Sequence, residues 1–293
     1  MRVFVTGSTG LIGSAVVAEL LDNGHTVLAL ARSDASAQAA EAAGAEPLRG
    51  ALADLDTLRA GAARADGVIH LAFDHDFSSS DTLAKSVAEE GAALAALGEE
   101  LTGSDRPLVT CSGTPHIPGR ASTEADPLMT EGPVGGRDRV VTSVLGLSCR
   151  GVRTSAVRLP RTVHNQGSGG FAGLLTDIAR RTGVAGHPGD GAQRWPAVHA
   201  LDAAVLFRLA LEQAEPGTSW HAVADEGDRV RDVATVIGRR LGLPVESVPA
   251  ETFGPFGEIF ASDQPSSSAY TRQALGWEPK HPSLLEDLEN IQP

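Results

Sequence analysis

The chain has little of the chemistry that marks several protein classes. Its 293 residues include 2 cysteines, 1 tyrosine and 3 tryptophans, and its lysines stand only at positions 85 and 280. Two cysteines form neither a disulfide framework nor a metal-binding spacing, so we expect a reducing, cytoplasmic location and no metal. No apolar run approaches the roughly 20 residues of a membrane span, and no signal-peptide pattern precedes the first strand, so we expect no membrane partner.

Basic residues are outnumbered, which bears on the partners of the protein. The net charge is −13 and the pI is about 5.1, whereas nucleic acids and anionic membranes reward lysine and arginine. We therefore expect neither as the main partner. Arginine replaces lysine almost throughout, and alanine and glycine are abundant, which is typical of a GC-rich genome.

The first 32 residues predict a strand, a glycine-rich turn, a helix and a second strand. Glycines at this spacing let a strand turn sharply into a helix, let a diphosphate approach bare backbone and let the helix pack close to the sheet. The helix N-terminus adds unpaired N–H groups and a partial positive charge. We therefore predict a dinucleotide-binding unit whose cofactor-binding residues in this segment are Gly7, Thr9, Gly10, Leu11, Ile12 and Gly13.

The end of the second strand indicates the cofactor. NAD-binding units usually place a carboxylate there for the ribose 2′-hydroxyl, whereas a 2′-phosphate needs a cation and a hydroxyl. Here the strand ends in Arg32 and Ser33, with no carboxylate before Asp34, which favours NADP(H). Leu52 falls where a side chain could cover the adenine. His75 follows the fourth strand and could reach a phosphate or the substrate, although a surface-loop histidine is equally consistent with the pattern.

Strands and helices alternate as far as residue 159, which specifies a parallel sheet with right-handed crossovers. We therefore predict an α/β fold, a Rossmann-type doubly wound parallel sheet with a smaller C-terminal substrate-binding lobe. The expected domains are an NADP-binding domain over residues 1–163 and a mixed region over 164–293 that completes the sheet and forms the lobe. Within that region we predict a turn over 186–191 and a helix over 230–241. The expected assembly is a monomer or homodimer.

This pattern resembles the extended branch of the short-chain dehydrogenase/reductase superfamily over nearly the whole chain. The likeness rests on the glycine turn, the strand 68–72, the segment 112–119, the strand end at 158–160, and Val198-His199 shortly before Asp202. It implies that Thr114 is the catalytic Ser/Thr that hydrogen-bonds the carbonyl being reduced. It also implies a cofactor lining formed by Leu71, Ala72, Phe73, Pro160 and His164.

The sequence departs from that family at its acid–base pair. Family members carry Tyr-x-x-x-Lys on the helix after the active-site loop, where the tyrosine moves the proton and the lysine lowers the tyrosine pKa. The matching positions here hold Pro133 and Arg137, and the single tyrosine is Tyr270. Arg137 could still hold a ribose hydroxyl, but a proline has no proton to give. The family's supporting Asn is also missing, with Ser86 as its replacement.

The favoured interpretation is an NADPH-dependent reductase of a small-molecule ketone. Its proton would come from Ser112, Thr114, His116, water or the substrate itself. A ketone that is hydrogen-bonded to its own neighbouring phenol needs no protein acid. Aromatic polyketides contain that arrangement, and the chain could in this respect resemble ketoreductases of antibiotic biosynthesis.

Two alternatives remain open. A nucleotide-sugar epimerase or dehydratase oxidises an alcohol first and needs a base, and in such an enzyme Arg194 could anchor an anionic substrate, although it could equally brace the lobe. A non-catalytic NADP-binding sensor or regulatory protein would explain the lost acid–base pair. The sequence does not place Tyr270 relative to the active site.

Overall fold

The architecture is a seven-stranded sheet with flanking helices and two smaller sheets. A computed structural model describes residues 1–74, 79–131 and 135–292. The strands are β1 (Arg2–Thr6), β2 (Thr26–Ala31), β3 (Glu46–Arg49), β4 (Gly67–His70), β5 (Pro107–Gly113), β6 (Arg153–Leu159), β7 (Thr162–His164), β8 (Ala185–Pro188), β9 (Arg194–His199), β10 (Thr218–His221), β11 (Asp225–Arg229) and β12 (Val245–Val248). The helices are α1 (Leu11–Asp22), α2 (Asp34–Ala42), α3 (Leu55–Ala63), α4 (Ser80–Leu101), α5 (Gly135–Leu145), α6 (Gly170–Thr182), α7 (Ala200–Gln213), α8 (Val230–Leu241), α9 (Gly257–Ala261), α10 (Ala269–Leu275) and α11 (Leu284–Asp287).

The large sheet has the strand order β10-β6-β5-β4-β1-β2-β3. β1 pairs in parallel with β2 on one side and with β4 on the other, and the pairs β2–β3 and β4–β5 are also parallel. The strand order therefore reverses between β1 and β4, and the crevice at the carboxyl ends of these strands is where such sheets bind ligands. The predicted Rossmann-type α/β fold is confirmed.

The first of two compact units contains most of this sheet. It comprises Met1–Ser112, Pro127–Arg158 and Ala204–Trp220. Apolar side chains of the strands and of α3 and α4 pack into one core, in which Phe4, Leu28, Leu58, Leu94 and Leu97 are fully buried. The alternate residues Val3, Val5, Val27 and Ala29 are buried too. Both faces of the strands are therefore covered, which explains why their sequences are almost continuously apolar.

The second unit comprises Gly113–Asp126, Leu159–Ala203 and His221–Pro293. It holds the sheets β11-β9-β7 and β12-β8, around a core that includes Trp195, Phe260 and Ile237. The chain thus passes between the units several times instead of once near residue 163. Residues 204–220, which include most of α7 and most of β10 at the edge of the large sheet, belong to the first unit.

The local predictions for the C-terminal third have mixed outcomes. The helix over 230–241 is confirmed as α8, which ends at Gly242 in the left-handed conformation with φ of +67°. The predicted turn over 186–191 is correct only in its second half, where residues 189–191 form a turn in which the Gly191 N–H donates to the Pro188 carbonyl at 3.1 Å. Its first half is wrong, because residues 185–188 form β8, which pairs in parallel with β12. Its Gly-His-Pro composition resembles a turn, and only the distant partner strand makes it a strand.

α4 shows how the sequence sets the start and the buried face of a helix. Ser79 caps its N-terminus through a reciprocal pair of hydrogen bonds with Thr82. One stripe along the helix is buried and includes Glu90 among alanines and leucines. Within the described residues, no helix has both the length and the apolar character needed to cross a membrane.

Candidate functional site

Two of the three turn glycines are required by the packing of the protein itself. Gly7 has φ of +71°, and a Cβ there would lie 2.7 Å from the backbone N of Ala72. A Cβ on Gly13 would lie 1.9 Å from the Gly7 carbonyl oxygen. Such contacts are impossible without moving backbone, so these residues fix how β1, α1 and the end of β4 meet.

Gly10 differs from its two neighbours in the motif. It is exposed, and a Cβ there would meet only the Gly7 carbonyl oxygen, at an ordinary 3.5 Å. Its φ of −76° suits any residue. Internal packing therefore does not demand glycine here, whereas close approach of a diphosphate does. Since Gly10 is also the N-cap of α1, no cap side chain covers the first-turn N–H groups of Leu11 and Ile12.

Thr6 and His70 join β1 to the end of β4 on the same edge of the sheet. The Thr6 hydroxyl oxygen accepts the backbone N–H groups of Leu71 and Ala72, at 3.2 Å each, and lies 3.0 Å from Nδ1 of His70. With those acceptor positions filled, the hydroxyl donates its hydrogen to Nδ1, which assigns the ring proton to Nε2. This arrangement fixes the backbone of the predicted cofactor-lining residues 71–72.

Burial keeps His70 neutral. The ring is fully buried, and this burial, assisted by the positive charge of Arg137, lowers the pKa of His70 to about 3. Nε2 has no hydrogen-bond partner among the described residues. His70 is therefore a core residue, and it supports the backbone of residues 71–72 through Thr6.

Arg137 on α5 forms a buried ion pair with Glu90 on α4. Its Nε lies 3.1 and 3.0 Å from the two carboxylate oxygens and its Nη2 lies 2.9 Å from one of them. The guanidinium also stacks 4.3 Å from the centre of the Phe73 ring, and Nη2 lies 3.5 Å from Sγ of Cys111. The Glu90 side chain is completely buried, while that of Arg137 keeps a quarter of its surface exposed.

Glu90 is the main residue of this cluster that sequence reasoning missed. Burial raises the pKa of its carboxyl above the ordinary value, against the opposing attraction of Arg137. Burial likewise raises the pKa of the Cys111 thiol. A signal was present in the sequence, since a carboxylate four residues after Ser86 in an apolar helical stripe requires a buried partner. The partner itself, 47 positions away, was not readable from that stripe.

The end of β2 holds a small charged group at the surface. Arg32 is exposed, and Ser33 is the N-cap of α2, accepting the Ser36 N–H at 3.1 Å. Asp34, the first residue of α2, binds Nη2 of Arg49 at 2.8 Å. Leu52 is partly buried. The predicted hydroxyl of Ser33 is thus present but already serves as a helix cap.

The end of β5 and the residues that follow it divide between the two units. Ser112 is buried in the first unit, whereas Thr114 and His116 belong to the second. The Thr114 backbone N–H donates to the Leu159 carbonyl at 2.9 Å, and the Thr114 backbone carbonyl accepts a hydrogen bond from the side-chain amide of Gln264. Its hydroxyl is buried with no hydrogen-bond partner in the part of the chain that the structure describes. An unpartnered buried hydroxyl is available to a ligand group.

Several other predicted residues have structural partners inside the second unit. His164 is fully buried, with Nδ1 2.9 Å from Asp287. Arg194 forms a two-pronged ion pair with Asp263 at 3.1 and 2.8 Å, which braces the unit. Tyr270 is an exposed residue of α10. Pro160 is buried at the end of β6.

Two positions of the sequence analysis, His75 and Pro133, lie outside the described residues. Of the three tryptophans, Trp195 and Trp277 are fully buried core residues. Among the described residues, no group of three or more His, Cys, Asp or Glu side chains could hold a metal ion.

The sheet order and the glycine turn define a dinucleotide-binding α/β protein, and comparisons with known proteins identify its family. The model of the "NAD dependent epimerase/dehydratase family" matches residues 3–133. Uncharacterized proteins of Schizosaccharomyces pombe and Saccharomyces cerevisiae are 44% and 40% identical, each over 98% of both chains. The chain belongs to this epimerase/dehydratase family and is an NAD(P)-dependent oxidoreductase.

Two further similarities have a narrower reach. A 4-hydroxy-2-methyl-3-oxo-4-farnesyl-3,4-dihydroquinoline-1-oxide ketoreductase of Stigmatella aurantiaca is 42% identical over 72 residues, or 25% of this chain and 22% of that one. The structure of a UDP-glucose 4-epimerase of Thermotoga maritima aligns with a TM-score of 0.78 over 99% of this chain and 97% of the other, at 18% identity. That likeness establishes a shared fold.

Proposed function

We propose that this protein is an NADPH-dependent reductase of a ketone in a small, aromatic or secondary-metabolite substrate, working without a tyrosine general acid. The observation that carries the proposal is the position of its single tyrosine. Tyr270 lies on α10, more than 130 residues after the point where the family places its acid. Epimerases and dehydratases begin by taking a proton from an alcohol, whereas a reductase can receive its proton from elsewhere.

The residues around α1 and β2 suit a phosphorylated dinucleotide. Gly10 leaves bare backbone at the helix N-terminus, and Arg32 offers an exposed cation at the end of β2. Asp34, the nearest carboxylate after Arg32, is paired with Arg49. These features support NADPH over NADH. When bound, NADPH supplies the hydride that the ketone carbon accepts.

The Thr114 hydroxyl is our candidate for orienting the ketone. It is buried and has no partner among the described residues, so it can donate a hydrogen bond to the carbonyl oxygen. Ser112 and His116 are the other nearby candidates in sequence. As the carbon accepts hydride, the electron pair of the C=O bond moves to oxygen, and a neighbouring phenol of the substrate transfers its proton there. Water then reprotonates the phenolate, so no protein side chain is consumed.

Paired substrates test this reaction. A hydroxyaryl ketone with an internal hydrogen bond and its phenol methyl ether would be assayed by the loss of nicotinamide absorbance with NADPH. We expect turnover of the phenol and a large loss with the ether, while Thr114→Ala keeps measurable activity with the phenol. Equal turnover of both ketones would refute the substrate as proton source. Binding of NADPH without turnover across a broad ketone panel would contradict the proposed ketone reduction.

Cofactor preference has its own test. Arg32→Ala should weaken NADPH binding by about 1.5–3 kcal/mol, the range for hydrogen bonds to charged groups, and leave NADH binding nearly unchanged. Calorimetric titration of both cofactors measures this directly. An equal loss for the two would contradict a role of Arg32 at the 2′-phosphate.

The family description favours a second candidate, a nucleotide-sugar epimerase or dehydratase. Such an enzyme regenerates its cofactor in every cycle and consumes none. Conversion of UDP- or dTDP-hexoses by the purified protein, with no NADPH consumed, would favour this candidate over the reductase.

A further inference from the structure

A second arginine stands beside the predicted position of the 2′-phosphate. β3 pairs in parallel with β2, and Arg49 is the partner of Ala31 in that pairing. Neighbouring strands lie about 4.8 Å apart, so the backbone of Arg49 is one strand spacing from the residue that precedes Arg32. The Gly50 N–H donates to the Ala31 carbonyl at 3.2 Å and keeps the two strand ends together.

The Arg49 side chain reaches across to the start of α2. Its Nη2 lies 2.8 Å from Oδ1 of Asp34, two residues after Arg32. The Arg49 guanidinium therefore lies beside the segment 32–34, which the proposed function assigns to the phosphorylated ribose. Arg49 was not among the residues that the sequence analysis selected, because its position beside Ala31 comes from the pairing of β3 with β2.

The Arg49–Asp34 ion pair is weak enough for a ligand to replace it. The side chains of Arg49 and Asp34 are 51% and 92% exposed, and exposed pairs of this kind add little to stability. A guanidinium fork binds phosphate oxygens through two parallel hydrogen bonds. A dianionic phosphate is consequently a stronger partner for Arg49 than the single carboxylate oxygen of Asp34.

We infer that Arg49 is a second cation for the 2′-phosphate of NADPH, and that Asp34 holds its guanidinium until the phosphate binds. The inference rests on the proposed preference for NADPH. In this arrangement Arg49 and Arg32 approach the phosphate from two neighbouring strands. The negative charge of Asp34 partly neutralises the positive charge that the two arginines present to a ligand. Asp34 thus weakens NADPH binding in the native protein, because its carboxylate competes for Arg49.

Calorimetric titration with NADPH, NADH and adenosine 2′,5′-bisphosphate tests the inference on exposed residues whose replacement leaves the core intact. Arg49→Gln should weaken NADPH and the bisphosphate about tenfold while changing NADH less than about twofold. Asp34→Asn should strengthen NADPH about threefold, since it frees Arg49 and removes a negative charge. In the double variant the part of this gain that comes from freeing Arg49 should disappear, and only the smaller part that comes from removing the negative charge should remain.

Arg64→Gln is the matched control. Arg64 is 42% exposed and pairs with Glu46, which begins β3, whereas Arg49 ends the same strand. The control removes the same charge from the opposite end of β3. We expect it to leave the affinities for all three ligands within about twofold, which separates a local contact from a general effect of net charge.

The outcomes distinguish this inference from the proposed function. If Arg32→Ala weakens NADPH selectively while Arg49→Gln does not, the NADPH preference stands and the role of Arg49 is refuted. If native protein binds NADPH no better than NADH and neither variant alters the ratio, the NADPH preference itself fails. If Asp34→Asn weakens NADH and gives no gain for NADPH, Asp34 is a ribose ligand and the inference is overturned.

Discussion

Removal of the buried neutral ring of His70 should make folding less sensitive to acid. In the folded protein, burial and the charge of Arg137 hold the pKa of His70 at about 3, against an ordinary value of 6.5. Between pH 6.5 and pH 3 the His70 ring is protonated in the unfolded chain but neutral in the folded protein. The contribution of the neutral ring to the free energy of unfolding is therefore fully present above pH 6.5 and is lost as the pH falls toward 3.

The size of the effect follows from the pKa difference. Each unit of pH within that window changes the free energy of unfolding by about 1.4 kcal/mol. Between pH 7.5 and pH 5.0 the contribution of His70 should fall by about 2 kcal/mol. His70→Asn removes the titrating ring and can keep an acceptor for the Thr6 hydroxyl. Other groups, such as His199 and Asp228, also have shifted pKa values, so the quantity to measure is the difference between native protein and variant.

Urea unfolding followed by circular dichroism at several pH values measures that difference. The native protein should lose about 2 kcal/mol more than His70→Asn between pH 7.5 and pH 5.0. Thr6→Ser, which keeps the hydroxyl that donates to Nδ1, should retain the pH dependence of the native protein. Identical pH dependence in the native protein and His70→Asn would refute the neutral, buried assignment.

Two other predictions concern the glycine turn and the buried ion pair. Gly13→Ala should destabilise the fold by about 3 kcal/mol or more, because its methyl group would overlap a backbone oxygen. Gly10→Ala should keep the free energy of unfolding of the native protein yet bind dinucleotide more weakly in calorimetric titration. Equal losses of stability in Gly10→Ala and Gly13→Ala would contradict this distinction. Glu90→Gln should lower the free energy of unfolding by about 3 kcal/mol, since it leaves the mostly buried charge of Arg137 without its partner. The exposed control Glu99→Gln should lose less than about 1 kcal/mol in the same urea titration.

Local signals in the sequence were sufficient for the sheet core and the glycine turn. The spacing of Gly7, Gly10 and Gly13 predicts β1, α1 and β2, because the requirement for a sharp turn and close packing is local. α8 was equally readable, since its apolar period and its terminal Gly242 lie in one segment. These elements depend on neighbours in sequence, which a single chain displays.

Long-range pairing was not readable in the same way. β8 exists because it pairs with β12 about 60 residues later, while its own composition is typical of a turn. The site shows the same limit, since the contacts of Arg137 with Glu90 and of Arg49 with Asp34 join separate elements. The sequence indicates that a buried charge such as Glu90 needs a partner of opposite charge, but which residue is that partner depends on the topology of the fold.

The Glu90–Arg137 pair bears on the source of the proton in the proposed reduction. In the family a lysine near this position lowers the pKa of the catalytic tyrosine, which requires a positive charge that is not already neutralised. Here the guanidinium is bound through Nε and Nη2 to a fully buried carboxylate. The charge of Arg137 still helps to lower the pKa of His70, whereas at the Cys111 thiol the negative charge of Glu90 opposes it. At a group that lies near both charges, the pair therefore lowers a pKa less than an unpaired cation would. The missing tyrosine and the paired arginine are consistent with each other and with the proposed substrate, which brings its own acidic hydroxyl to the ketone.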